Sequence, residues 1–313
     1  MITRLGKIGD TLLLAPPLLT IKRHVCDAEF FFLTDSKYAD VGMILNEDNN
    51  VIHFKSQEYS AYRDNLHFNS ATVYDIAFDF QATPESVEIF HRISAKRKIG
   101  FETENTLNHS YTDAILPDAG HSMSHNYYKL FKHAWPEVPP HHDRITRLRD
   151  GKVKSIGLAP GGSVPCKRWA VDKWEGLSQQ LQMFFSDLEF HLISEEKSPN
   201  LFKIRCHQWH FGKSLFEIQR LLKEIDLLIA NDSGLMHLAA ISGCPVIGLF
   251  GSSNKHIWSS YSDIIYPIKN EHNCNKSEKT DCENLCKMPD CLETINVDQV
   301  VIAVKHAIER IEA

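Results

Sequence analysis

Apolar residues in this chain follow two patterns: short continuous runs of strand length, and longer segments in which they recur at helical spacing. Residues 227–230 and 246–250 are continuous apolar runs, and residues 235–241 between them suit a short helix. Strands without polar alternation are typical of parallel sheets that helices cover on both faces. The pattern therefore predicts a strand-helix-strand unit of an α/β fold.

The same alternation recurs on both sides of this unit. Further strands are predicted at residues 2–5, 29–33, 51–54, 75–80, 98–101, 155–159 and 190–193, and further helices from about residue 171, at 215–224 and at 298–311. The helix after the first strand contains Pro16-Pro17, so we expect it to kink or restart there. Alternating strands and helices of this kind predict Rossmann-like domains.

Length and a proline-rich segment divide the chain. A chain of 313 residues is longer than a single hydrophobic core usually supports. Residues 135–143 (WPEVPPHHD) contain three prolines and look like a linker. We therefore predict two Rossmann-like domains, residues 1–143 and 144–313, the second ending in the closing helix 298–311.

Composition limits the class of protein. Hydrophobic residues make up 43% of the chain and charged residues 24%, as in ordinary globular proteins. No stretch reaches the roughly 18 apolar residues of a membrane span, so we expect the protein to stay in the cytoplasm. A net charge of -6 argues against a nucleic-acid binder, although local clusters of Lys, Arg and His would give one face suited to an acidic acceptor.

Polar residues directly after predicted strands are candidates for a phosphate site. Asp232, Ser233 and Gly234 stand at the start of a helix whose unpaired N–H groups suit a phosphate oxygen. The alternative is that Asp232 or Ser233 only caps this helix. After strand 155–159, the residues Gly161-Gly162-Ser163 supply backbone donors, and Lys167 and Arg168 supply two cations within reach of a diphosphate.

Other charged residues allow a functional and a structural interpretation. Glu195 and Glu196 follow strand 190–193, a position where an acidic side chain commonly binds ribose hydroxyls. The alternative is that both side chains are simply solvated in a surface loop. Asp10 stands at the entrance of the first helix and would serve there as an N-cap. The run Lys96-Arg97-Lys98 suits either a solvated face or the neighbourhood of an anionic acceptor.

The eight cysteines are unevenly placed. Cys26, Cys166, Cys206 and Cys244 are scattered and are interpreted as reduced thiols. Cys274, Cys282, Cys286 and Cys291 crowd one segment, but their spacing is not the paired CxxC pattern of a confident zinc site. Two interpretations of this segment therefore remain: a metal-binding site and a purely structural loop.

The order of four motifs is more specific than any one of them. They are GKIGD at residues 6–10 before the proline-containing helix, YDIAFDFQ (74–81) followed by AKRKIGF (95–101), LAPGGSVPCKRW (158–169), and IANDSGLMHLAAISGCPVIGLFGSS (229–253). Together they resemble the family 9 glycosyltransferases, the heptosyltransferases of lipopolysaccharide core assembly. The resemblance covers nearly the whole chain, and the last motif is its most specific part.

The resemblance implies a GT-B fold, with two Rossmann-like domains facing across a cleft. The acceptor would bind mainly to the N-terminal domain and the nucleotide sugar to the C-terminal one. It also implies an inverting transfer from an ADP-heptose donor to an acidic inner-core acceptor, without cofactor, divalent metal or metal ligands. We further expect a monomer that contacts the inner face of the membrane peripherally and binds no nucleic acid.

Site residues carry over by position. Asp10 matches the aspartate of the family's GD motif, the proposed catalytic base. Ser163 and Lys167 match residues that meet the donor diphosphate and sugar. Asp232, Ser233, Gly234 and His237 match a DTGLSH-type motif, although Ser233 replaces the commoner Thr. Glu195 or Glu196 and Lys213 fall near the positions that hold ribose and adenine.

Several alternatives remain at this point. His237 would equally serve as a structural histidine hydrogen-bonded inside its domain. The same fold would accommodate another nucleotide sugar or another glycan acceptor. From other classes, the rivals are a nucleotide-sugar binder without activity and a redox or metal-binding protein built on the clustered cysteines.

Overall fold

Strands and helices alternate along the computed structural model, which describes residues 1–45, 50–54, 72–103, 110–139, 145–147, 151–269 and 291–313. The chain divides into two compact units, Met1–Asp143 and Arg144–Ala313. Each unit is built on a six-stranded sheet. The described strand pairings are all parallel, so the loops that leave the strands at their carboxyl ends gather at one edge of each sheet.

The first unit has the strand order β3-β2-β1-β4-β5-β6. Its strands are β1 Ile2–Thr3, β2 Phe32–Asp35, β3 Val51–Phe54, β4 Tyr74–Asp79, β5 Ala95–Phe101 and β6 Asp113–Ile115. Its described helices are α1 Ile8–Leu12, α2 Ala15–His24, α3 Ala39–Leu45, α4 Pro84–His91 and α5 Met123–Ala134. The predicted restart is confirmed, because α1 ends at Leu12 and both prolines lie in the first turn of α2.

The second unit has the strand order β12-β11-β10-β7-β8-β9. Its strands are β7 Ser155–Ala159, β8 Glu189–Ser194, β9 Gln208–Phe211, β10 Leu227–Asn231, β11 Val246–Leu249 and β12 Ile265–Ile268. Its described helices are α6 Val171–Phe184, α7 Leu215–Glu224, α8 Gly234–Ile241, α9 Lys255–Ser259 and α10 Val297–Glu312. None of the helices in the described segments of either unit is long and apolar enough to cross a bilayer.

The apolar runs of the sequence form the core of the second unit. β10 and β11 are buried along their whole length, as their lack of polar alternation predicts. Trp174 of α6 and Val304 of α10 join them in one buried cluster. Burying a large apolar side chain stabilises the fold by about 1.5–3 kcal/mol, so α6 and α10 dock firmly on this sheet.

Three strands, β6, β9 and β12, were not predicted. Each is the outermost strand at one side of its sheet and carries exposed or half-buried residues along much of its length. A strand with one neighbour needs no continuous apolar run, which was the signal used to find strands. The predicted first strand was too long, because only Ile2–Thr3 is paired.

Candidate functional site

A buried ion pair lies at the carboxyl edge of the second sheet. The Nζ atom of Lys167, in the loop after β7, lies 2.9 Å from Oδ2 of Asp232, which directly follows β10. Ser253, in the loop after β11, donates a hydrogen bond to the same carboxylate oxygen. The side chains of Asp232 and Lys167 are only 4% and 14% exposed. The carboxylate therefore fixes the lysine ammonium group, a donor of up to three hydrogen bonds, at this edge.

The loop that carries Lys167 is held by a buried asparagine at the end of β10. The side-chain amide of Asn231 donates hydrogen bonds to the carbonyl oxygens of Pro160 (2.8 Å) and Gly161 (3.1 Å). Its Oδ1 atom accepts a hydrogen bond from the backbone N–H of Trp169 at 3.3 Å. Asn231 thus ties both ends of the loop to the sheet, a role that the sequence analysis missed. Ser163 lies on this loop and is exposed.

The start of α8 lies at the same edge. α8 begins at Gly234, one residue before the predicted start of the helix, with Ser233 at the N-cap position. Within the described part of the chain, the Ser233 side chain makes no capping hydrogen bond, and the Asp232 carboxylate is turned to Lys167 instead. The interpretation of these residues as simple helix caps is therefore wrong. The N–H groups of the first turn and their helix dipole suit an anion beside Lys167.

His237 lies inside the second unit. It is 3% exposed, and its Nδ1 atom is 2.9 Å from the hydroxyl oxygen of Tyr261. Burial, together with the nearby negative charge of Asp232, raises the pKa of Tyr261 well above its ordinary value, so the phenol keeps its proton. This geometry is what the structural interpretation of His237 predicts. Contact between His237 and a nucleotide-sugar donor stays a prediction.

The next two strands bring the predicted ribose and adenine residues to the same edge. The backbone N–H of Gly212, after β9, donates to the carbonyl oxygens of Ser194 (3.3 Å) and Glu195 (3.2 Å) after β8. Gly212 has a φ of 59°, which favours glycine. Glu195 and Glu196 are exposed, and Lys213 Nζ pairs with Glu217 Oε1 at 3.0 Å on the surface.

In the first unit, Asp10 is paired with a buried arginine. Arg4 follows β1, donates from Nη2 to Asp10 Oδ2 at 2.8 Å, and donates from Nη1 to the carbonyl oxygen of Phe80 at 2.9 Å. Asp10 lies within α1, which begins at Ile8, and the N-cap residue is Lys7. The interpretation of Asp10 as an N-cap is therefore wrong. The sequence analysis also missed Arg4, the residue that orients this carboxylate.

Backbone strain is found beside this pair. Lys7, before α1, has a φ of 57°, and Ala82, after β4, has a φ of 53°. In the described segments these are the non-glycine residues with positive φ, and both lie in loops that leave neighbouring strands at the carboxyl edge of the first sheet. Such strained positions concentrate at functional sites, where surrounding contacts maintain them.

The buried carboxylate of Asp79 holds the second of these loops. It accepts hydrogen bonds from the backbone N–H groups of Gln81 and Ala82, from Ser86 Oγ and from Tyr111 Oη, at 2.8–3.2 Å. Burial raises the pKa of Asp79 in spite of these four donors. We interpret Asp79 as a structural residue, because its oxygens are directed into the protein.

The basic run Lys96-Arg97-Lys98 lies elsewhere. It occupies the amino half of β5, whereas Asp10 follows the carboxyl end of β1. Lys96 Nζ lies 2.6 Å from Asp75 Oδ1, Arg97 Nε lies 3.5 Å from Asp113 Oδ2, and Lys98 Nζ donates to the carbonyl oxygens of Phe90 and His91. The structure does not bring this run together with Asp10, and binding of an acceptor there stays a prediction.

The cysteine cluster lies mostly outside the described residues. Cys274, Cys282 and Cys286 belong to the part of the chain that the structure does not describe, so a metal site in that segment stays a prediction. The scattered cysteines, Cys26, Cys166, Cys206 and Cys244, are not paired in disulfides. Burial raises the pKa of Cys206 to about 11, so this thiol is unreactive.

The chain is similar to known proteins over most of its length. The profile of glycosyltransferase family 9 (heptosyltransferase) matches residues 70–288, well over half of the chain. The chain belongs to glycosyltransferase family 9. It is therefore a glycosyltransferase, and the resemblance described from its motifs is confirmed.

Individual members of the family extend this finding. The chain is 26% identical over 254 residues to lipooligosaccharide heptosyltransferase 2 of Campylobacter jejuni, covering 78% of each protein. It is similar to the structure of the E. coli heptosyltransferase WaaC with ADP (14% identity, 98% of each chain, TM-score 0.76). It is also similar to E. coli ADP-heptose lps heptosyltransferase II (16% identity, 100% and 99% of the chains, TM-score 0.73). At these identities the structures establish the fold alone, and they confirm the predicted GT-B type.

Proposed function

We propose that this protein is an inverting, metal-independent heptosyltransferase that transfers a heptose from an ADP-heptose donor to an acidic lipopolysaccharide inner-core acceptor. The observation that carries the proposal is the buried pair of Lys167 and Asp232 beside the start of α8. It places a fixed cation next to unpaired helix N–H groups, an arrangement suited to a diphosphate.

The second unit supplies the donor side of the chemistry. When the bond between the sugar and the diphosphate breaks, negative charge develops on the leaving phosphate oxygen. Lys167 and the first-turn N–H groups of α8 stabilise that charge, while Asp232 and Ser253 keep the lysine in place. The loops after β8 and β9, which carry Glu195, Glu196 and Lys213, continue along the same edge and receive the ribose and the adenine.

The first unit supplies the acceptor side. The carboxylate of Asp10 accepts the proton of the attacking hydroxyl group, whose oxygen forms a bond to the anomeric carbon on the face opposite the leaving diphosphate. The hydroxyl oxygen attacks one face of the anomeric carbon while the diphosphate leaves from the opposite face, so the configuration at this carbon inverts. Arg4 binds only one carboxylate oxygen, Oδ2, and thereby orients the group for this step.

A divalent metal is not needed in this scheme. In many sugar transferases a metal bound by carboxylates neutralises the diphosphate. Here the carboxylate at the described site, Asp232, is already paired with Lys167, and the lysine supplies the positive charge itself. The proposed enzyme therefore uses neither a metal nor a cofactor. Peripheral contact with the membrane and a monomeric state stay predictions.

The comparisons support the choice of substrates. The Campylobacter relatives are lipooligosaccharide heptosyltransferases, and E. coli WaaC has been solved with ADP-2-deoxy-2-fluoro heptose. An enzyme of the same family is expected to use the same class of donor. A screen of other nucleotide sugars and truncated core acceptors tests whether this member differs.

Two substitutions test the proposal by separating its halves. Asp10→Asn removes the base but keeps an oxygen that accepts from Arg4, so transfer should fall by roughly 10²–10⁴ while ADP affinity stays unchanged. Lys167→Gln keeps a donor for Asp232 but removes the charge. Loss of a charge-assisted contact worth about 1.5–3 kcal/mol should weaken ADP binding about ten- to a hundredfold.

The measurements are calorimetric titration with ADP and initial transfer rates, with melting temperatures to show that both variants are folded. Near-normal turnover by Asp10→Asn would reject the catalytic assignment and leave the donor site intact. Unchanged ADP affinity in Lys167→Gln would place the diphosphate elsewhere.

A further inference from the structure

A group of metal-ligating side chains lies in the first unit, apart from the residues used above. Asp118 and His121 lie in the loop between β6 and α5, and His125 lies in the first turn of α5. One ligand atom from each of the three residues can be chosen so that all lie within 4.8 Å of one another. Among the described residues, this is the cluster whose spacing would hold a metal ion.

The distances suit a small divalent ion. Nε2 of His125 lies 3.2 Å from Oδ2 of Asp118, and the rings of His121 and His125 stack with centroids 4.5 Å apart. In a tetrahedral site with bonds of about 2.0–2.1 Å, neighbouring ligand atoms are about 3.3 Å apart. The Asp118 and His125 atoms are therefore already at ligand spacing. His121 is exposed, and its ligand nitrogen lies within 4.8 Å of the ligand atoms of Asp118 and His125.

The surrounding contacts hold Asp118 in place. The buried side chain of Asn126 accepts from the backbone N–H of Asp118 at 2.7 Å and donates to its carbonyl oxygen at 3.2 Å. Lys129 Nζ donates to Asp118 Oδ1 at 2.6 Å. Outer contacts of this kind orient the first ligands of metal sites.

We propose that Asp118, His121 and His125 bind one zinc-like divalent transition-metal ion, with water in the fourth position. Two imidazole nitrogens and one carboxylate oxygen favour Zn²⁺ over Mg²⁺ or Ca²⁺, which prefer oxygen ligands. The ion links the loop after β6 to the first turn of α5. The site shares no residue with the proposed transfer chemistry, so it stabilises the first unit and leaves the transfer step metal-independent.

Cobalt spectroscopy on the full chain tests the proposal, because Co²⁺ replaces Zn²⁺ and absorbs visible light. The wild-type protein should show the d–d bands of a four-coordinate site filled by one equivalent. His121→Ala should weaken this binding at least about tenfold, because loss of a ligand costs more than loss of an outer contact. His125→Ala should do the same. His133→Ala, on the same helix but bonded to Asp113, is the matched control and should bind like the wild type.

The absorption spectrum also shows whether cobalt has bound to the cysteine-rich segment instead. Cobalt bound to thiolates gives an intense near-ultraviolet charge-transfer band, which a site of one Asp and two His lacks. Zn²⁺ should also raise the melting temperature of the wild type and of His133→Ala more than that of His121→Ala. Cobalt absorption that appears only with the charge-transfer band, or that survives both His121→Ala and His125→Ala, would overturn the proposal.

Discussion

At the residue scale, the unusual feature of the first unit is the buried guanidinium of Arg4. It is 7% exposed and bridges the end of β4, through Phe80, to the carboxylate of Asp10. It also lies over the ring of Tyr127, with its central carbon 5.8 Å from the ring centroid. A planar fork that donates in two directions sets the orientation of Asp10 in a way that a lysine does not reproduce.

Arg4→Lys should therefore slow transfer without affecting the donor site. The charge remains, but one ammonium group cannot reproduce both hydrogen bonds in the same geometry, and a misplaced catalytic group costs up to about a hundredfold in rate. We expect initial rates to fall about ten- to a hundredfold, with ADP affinity unchanged. Arg92→Lys, at a partly exposed position on the surface after α4, is the control. An Arg4→Lys enzyme with normal rates would show that Asp10 needs no such orientation.

At the scale of the element, the loop between β7 and α6 depends on one of its two adjacent glycines. A Cβ atom at Gly162 would lie 2.7 Å from the carbonyl oxygen of Lys167, whereas one at Gly161 would meet nothing within 4 Å. Arg168 Nε also donates to the Gly162 carbonyl oxygen at 2.7 Å. The loop folds back on itself at Gly162, and this close approach sets the position of Lys167.

Substitution of the two glycines should give different results. Gly162→Ala must push the backbone of Lys167 away, so we expect ADP affinity to fall about tenfold or more, as for the loss of one charge-assisted contact. Gly161→Ala has open space around it and should bind ADP like the wild type. Calorimetric titration of both variants with ADP measures the difference. Equal affinities would mean that the loop adjusts without moving the lysine.

A second feature at this scale is a histidine pair on neighbouring strands. Nδ1 of His191 on β8 lies 3.1 Å from Nε2 of His210 on β9, with the rings stacked. Burial lowers the pKa of His191, and burial followed by the charge of His191 lowers the pKa of His210. The folded state thus binds these protons less readily than the unfolded state, whose histidines titrate near pH 6.5.

The free energy of unfolding should accordingly fall on acidification. The contribution of the pair is fully present above about pH 6.5 and is lost as the pH falls through the lowered pKa values, because the unfolded state then binds more protons. Urea denaturation at about pH 7.5 and about pH 5.5 measures this loss. His210→Gln should reduce it, and His306→Gln, at an exposed position on α10, should not. If His210→Gln loses as much unfolding free energy on acidification as the wild type, other groups cause the pH dependence.

At the scale of the whole molecule, the two units divide the proposed chemistry. Each unit has its own sheet, and the proposed base and the proposed donor site lie on different units. One metal site is proposed, and it shares no residue with either. Removal of the metal should therefore lower the stability of the protein and leave the rate of transfer unchanged.

EDTA should leave the initial transfer rate intact, and ADP should bind without Mg²⁺, because Lys167 supplies the charge that a metal would otherwise provide. The same treatment should lower the melting temperature of zinc-loaded protein, since a ligand that binds only the folded state stabilises it. Transfer assays and thermal scans with and without EDTA measure both. A strict need for a divalent ion in transfer would refute the metal-free mechanism.

The sequence by itself determined the α/β class, the family and most of the regular structure. β3, β7 and α7 have the predicted bounds, and α10 extends the prediction by one residue at each end. These elements are local: continuous apolar runs, helical spacing and capping residues act within a few positions, so the sequence displays them directly. The order of the motifs identified the family for the same reason.

Only the tertiary structure decided which side chains are partners. In a parallel sheet each crossover carries the chain past a helix, so the loops at one edge come from distant parts of the sequence. Lys167 therefore meets Asp232, and Arg4 meets Phe80, although no local pattern pairs them. The outer strands β6, β9 and β12 and the mutual approach of Asp118, His121 and His125 were undetected likewise. Their signal lies in packing between elements, which is fixed only when the whole unit folds.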